Sequence, residues 1–98
     1  MSQEPNYENL YSFLAGEFAE ADFEGKSDTE IVLGCTNREL TQWHRTIIAE
    51  GRFALASPSF PWENIGDYAN RHFVTEAAAR TWLTQILNLL ESSVEQLS

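Results

Sequence analysis

The stretch TEAAARTWLTQILNLLESSVEQ, residues 75–96, decides the fold. Ala79, Trp82, Leu83, Ile86, Leu89, Leu90 and, just beyond it, Leu97 fill one broad apolar stripe at helical spacing. Arg80, Thr84, Asn88, Glu91 and Glu95 fill the other side. Thr75 can cap the start, and Glu76 suits the positive end of the helix dipole. A helix to about Gln96 is expected, with a face wide enough to demand a partner layer.

Working back from this helix, the same period recurs. Tyr7, Leu10, Tyr11, Leu14 and Phe18 share one face of a helix expected over Asn6 to Glu20, with Asn6 as its cap and Gly16 as a weak point. Ala21 to Lys26 reads as a turn pivoting at Gly25. Ser27-Asp28-Thr29-Glu30 has the spacing of a capping box, so a short helix should run to about Gly34. Thr36-Asn37-Arg38-Glu39 repeats that spacing ahead of a helix ending at about Glu50, with Gly51 as its stop. Leu40, Trp43, His44, Ile47 and Ile48 would be its inner face. Arg52 to Pro61 reads as irregular, because Ser57-Pro58-Ser59-Phe60-Pro61 cannot lie inside a helix. Pro61 then suits the first turn of a helix from Trp62 to about Ala69. Alternation of the kind a sheet requires is missing. The expected fold is all-α: residues 1–98 as one small bundle of four to five helices.

Composition narrows the function classes. The chain has 98 residues, 43% of them hydrophobic, enough for one core and unlike a disordered chain. Its net charge is -9, and the charge is uneven. The first 30 residues hold eight acids against one base, Lys26; the rest hold seven acids and five arginines. Such a field repels nucleic acid and anionic membrane, and it speeds encounter with a basic partner. No apolar run approaches the roughly 20 residues that span a bilayer. One cysteine, Cys35, permits no internal disulfide, and the opening MSQEPNYENLYS lacks the charged and apolar regions of a signal peptide. A cytoplasmic location is expected.

Chemistry-bearing patterns are sparse. His44 sits on an apolar helix face and is expected to be a core-edge histidine satisfied by one hydrogen bond. His72 lies between two helices and suits a surface or capping role. Metal-ligand spacing is absent, and Glu20, Asp22 and Glu24 lack the glutamate that closes a calcium-binding loop. Cys35 has no oriented base beside it, and no glycine-rich phosphate loop occurs. The expectation is a protein that is not an enzyme, with no cofactor, no metal, no nucleic acid and no small-molecule substrate.

Asn9-Leu10-Tyr11-Ser12-Phe13-Leu14, then Phe18, Asp22-Phe23, the Ser27-to-Glu30 helix start and the closing Trp82-Leu83-Thr84-Gln85-Ile86 together resemble a family of bacterial immunity proteins. These belong to contact-dependent growth inhibition systems. The resemblance covers the first 30 residues and about the last 20, and the family often carries Trp where Phe23 stands. It implies a cytoplasmic bacterial protein that binds one cognate toxin domain and neutralises it. Many such toxins are nucleases with basic clefts, so an RNase is the favoured target.

The expected binding set is Glu17, Glu20, Asp22, Glu24, Asp28 and Glu30, standing in for RNA phosphates, with Phe60 and Trp62 as aromatic anchors. For Phe13 core packing is the first reading. The competing functions are an adaptor module for another basic protein, and an oligomer built on the broad stripe of the last helix.

Overall fold

The computed structural model describes residues 7–19 and 25–97. Five α-helices are present among them: α1 (Glu8–Phe13), α2 (Asp28–Cys35), α3 (Thr41–Ala56), α4 (Trp62–Ala69) and α5 (Glu76–Leu97). A π-helical segment, Leu14–Ala19, continues α1, and a 3-10 turn, Arg38–Leu40, leads into α3. Strands are absent among the described residues. The all-α bundle expected from the sequence is the observed fold.

The last helix organises the core. It packs along α3 on one side and α2 on the other, with α4 against it as well. Its buried residues are Ala79, Leu83, Ile86, Leu87, Leu90, Ser93 and Val94. Leu87 belongs to this face although the expected stripe omitted it; Leu89 and Leu97 are only half-buried. Each fully buried leucine or isoleucine here stabilises the fold by about 1.5–3 kcal/mol over leaving it in water. Leu10, Phe13, Leu14 and Phe18 from the first element complete the core with Ile47 and Ile65.

Local chemistry sets most boundaries. Ser27 accepts from the Glu30 backbone and Glu30 accepts from the Ser27 backbone, both at 3.2 Å, so the expected capping box is formed. Gly25 is left-handed at φ 70°, as a turn pivot there requires. Thr75 accepts from the Ala78 backbone at 3.1 Å and starts α5. The α4 helix ends on Asn70 in the left-handed region, with Arg71 N–H donating to the Gly66 carbonyl and Asn70 N–H to that of Asp67.

Other expectations need correction. The first helix is not uniformly α: its second half is π-helical. Its expected cap, Asn6, and its expected end, Glu20, lie outside the described residues. Position Tyr7 offers no side-chain cap. The carboxylate of Glu50 on α3 does this work instead, accepting from Leu10 N–H at 3.0 Å and from Asn9 Nδ2 at 2.7 Å. Asn9 in turn accepts from Trp43 Nε1 at 3.1 Å. The second capping box does not form. Asn37 caps by accepting from Leu40 N–H, while the Thr36 hydroxyl donates to the Val32 carbonyl.

Gly51 does not stop α3, which runs on to Ala56. A Cβ at Gly51 would stand 2.7 Å from both methyl carbons of Leu87. The glycine is there for close approach of α3 to α5, and only Ser57 to Pro61 is irregular. Arg80, expected on the outer side of α5, secures that end: it donates to the carbonyls of Leu55 and Ser57 and covers the Phe60 ring at 4.6 Å.

His44 is the sharpest departure. It is 1% exposed, packed between Phe13 and Trp43, and neither ring nitrogen has a hydrogen-bond partner among the described residues. Burial therefore depresses its pKa, and the neutral imidazole is the folded form. Because the unfolded chain takes up the proton near pH 6.5 and the folded chain does not, stability falls as pH drops below about 6.5. It keeps falling until the lower folded pKa is reached. We expect His44→Phe to raise Tm and flatten its slope between pH 7 and 5, read by thermal denaturation at each pH. Parallel curves for the two proteins would contradict the assignment.

Candidate partner-binding surface

The short helix α4 is the element that turns most chemistry outward. Ile65, Gly66 and Ala69 are buried, which fixes its rotation. At 100° per residue the opposite crown carries Asn64 and Asp67, with Tyr68 on one flank and Glu63 on the other. All four are exposed. Tyr68 faces α1, where its ring stacks on Tyr11 with centroids 4.5 Å apart. Glu63 and Asp67 are one turn apart and border a cleft of about 180 Å³ lined also by Trp62, Gly66, Arg71, His72 and Phe73.

The cleft exists because the chain after α4 folds back hard. A Cβ on Gly66 would meet the Arg71 carbonyl at 2.8 Å. Arg71 then reaches α2: its Nη2 lies 2.6 Å from Asp28 Oδ1, while Trp82 Nε1 donates to Asp28 Oδ2 at 2.7 Å. Phe18 lies under the Arg71 guanidinium and edge-on to Trp82, and Phe73 packs on Trp82. One carboxylate thus joins α2, the loop after α4, and α5.

The described members of the expected binding set are scattered by this arrangement. Asp28 is half-buried and engaged internally. Glu30 belongs to the α2 cap; Ser27 bonds hold its carboxyl below the usual range. Glu17 is half-buried on the π-helical segment, where its charge acts on the Cys35 thiol. Glu20, Asp22 and Glu24 lie outside the described residues. Phe60 is 4% exposed beneath Arg80, a core position rather than a surface anchor. Trp62 is partly exposed and lines the cleft.

Glu63, Asp67 and Tyr68 were not in the expected set, yet they are the exposed groups the fold gathers. The signal was available: on a helix whose apolar positions are 65 and 69, residues 63 and 67 must face away. Among the described acids, Glu39, Glu63, Asp67 and Glu95 are left unpaired, whereas Glu76 and Glu91 lie against Arg80 and Arg52.

Nucleophile and metal chemistry find little footing among the described residues. Burial, reinforced by Glu17, pushes the Cys35 thiol up to about 11, and its sulfur donates to the Val32 carbonyl. No cluster of three or more histidine, cysteine, aspartate or glutamate side chains suits a metal ion there. No described helix is long and apolar enough to cross a membrane. Comparison with protein-family models, curated proteins and solved structures yields no match.

Proposed function

We propose that this chain is a binding domain for a basic protein, and that the partner is a toxin domain, a nuclease, which it neutralises one to one. The observation that carries the reading is the charge: -9 over 98 residues, with the Glu63–Asp67 pair exposed on α4 beside Trp62 and Tyr68. Unpaired carboxylates around aromatic side chains suit a surface that meets lysines and arginines. Long-range attraction raises the association rate, and contact with the rings slows dissociation. The resemblance to immunity proteins supplies the toxin; the charge supplies the sign of its surface.

The test is co-purification with the polypeptide encoded immediately upstream, then a nuclease assay with and without this protein. The expected result is a one-to-one complex in which cleavage is suppressed. Glu63→Lys with Asp67→Lys, and separately Glu20→Lys with Asp22→Lys, should locate the face. The pair at the interface weakens binding by about tenfold or more and flattens its salt dependence, mainly through the association rate. If neither double reversal changes affinity or salt slope, acidic docking is wrong. A complex with a basic protein that has no toxic activity would favour the adaptor.

A further inference from the structure

Four aromatic rings run across the joint of α3, α1 and α4. Phe53 lies 6.4 Å from Tyr7, Tyr7 5.9 Å from Tyr11, and Tyr11 4.5 Å from Tyr68, centroid to centroid. The two ends are open: Phe53 is 61% and Tyr68 43% exposed, while Tyr7 is buried between the rings. Water on two large rings is not required by packing, since the core closes without them. The face is also fixed in shape, because Tyr7 is buried between its neighbours and Tyr11 stacks on Tyr68 across α1 and α4.

The rim of this face is negative. Glu8 stands one turn from Tyr11 on α1, and Asp67 adjoins Tyr68 on α4; both are exposed. The nearest base in sequence, Arg52, is turned to α5, where it donates to Asn88 at 2.8 Å and meets Glu91 at 3.4 Å. We propose that this aromatic face receives arginine side chains of the basic partner. The guanidinium is planar and weakly hydrated, so it stacks on tyrosine and phenylalanine faces while its edge N–H groups reach carboxylates at the rim. An ammonium carries the same charge but lacks the plane. The proposal rests on the reading of the chain as a holder of a basic protein and adds which basic residue it selects, and where.

Oligoarginine and oligolysine of equal length are the probes. Their binding to the intact protein is measured by calorimetry, alongside Phe53→Ser with Tyr68→Ser. Both substitutions fall on exposed rings, and circular dichroism checks that helix content is kept. The expected result is arginine binding about five- to tenfold tighter than lysine, with the preference falling to within about twofold in the double variant. Equal binding of both peptides overturns the aromatic site but leaves a basic partner in place. A preference that survives in the double variant also overturns it, since the selectivity then resides elsewhere. Binding of neither peptide removes the basic-partner reading beneath it. A dimer of the free protein that Phe53→Ser dissolves would assign the face to a second copy instead.

Discussion

Replacing Asp28 by alanine is expected to lower stability by about 3 kcal/mol, enough to leave a domain of this size marginal. The carboxylate holds Arg71 Nη2 at 2.6 Å and Trp82 Nε1 at 2.7 Å, and the Arg71 side chain is 20% exposed. Alanine removes a carboxylate from a largely buried guanidinium, which keeps its bonds to the Ala69 and Asn70 carbonyls, and leaves an indole N–H without this acceptor. Losing one member of such a pair is worse than losing both, because the remaining charge stays desolvated. Asp28→Asn should be milder, since its amide oxygen still accepts one of the two bonds. Arg71→Met combined with Asp28→Asn should recover part of the loss by removing the half-buried positive charge. Urea denaturation of the four proteins checks the ordering. A loss below about 1 kcal/mol for Asp28→Ala would mean that the site is solvated like a surface pair.

The second large effect concerns the α3–α5 contact. Leu87 is fully buried, and Leu87→Ala should cost about 2–5 kcal/mol through lost transfer energy and the cavity left behind. Gly51 is the other half of this contact, with a Cβ position 2.7 Å from Leu87 Cδ1. In the wild-type background Gly51→Ala gains about 1 kcal/mol of helix propensity but collides with a side chain that has no room to retreat. In the Leu87→Ala background the added methyl enters vacated space and keeps its helix-propensity gain. The double variant should therefore be more stable than Leu87→Ala alone, and more stable than the sum of the two single effects by about 1 kcal/mol or more. Additive effects in chemical denaturation would show that the two residues do not share this space.

These two sites also show where sequence reading ran out. The five helices were legible because their apolar periodicity is local, and the Ser27–Glu30 box and Thr75 were legible because a cap needs only residues three or four positions away. Gly51 was read as a stop because glycine after an amphipathic run usually ends it; its actual reason, Leu87, is 36 residues away on another helix. Asp28 was read as a surface acid for the same cause. Its partners Arg71 and Trp82 lie 43 and 54 positions along the chain. The exposed acidic surface was half legible. Net charge shows that carboxylates face outward, but which ones remain unpaired depends on where the arginines land. Of the two aromatic residues expected as anchors, Trp62 lines the cleft beside α4, while Phe60, two residues earlier, lies under Arg80.

The cap of α1 bears on the order in which this chain acquires structure. Six α-helical residues do not hold together alone, and the carboxylate that receives the Leu10 N–H lies 40 residues downstream. At about 5–20 residues per second, synthesis takes roughly 2–8 s to supply that group. The first helix of the sequence thus waits for Glu50 on α3 before its cap can close, and forms no earlier than the middle of the chain.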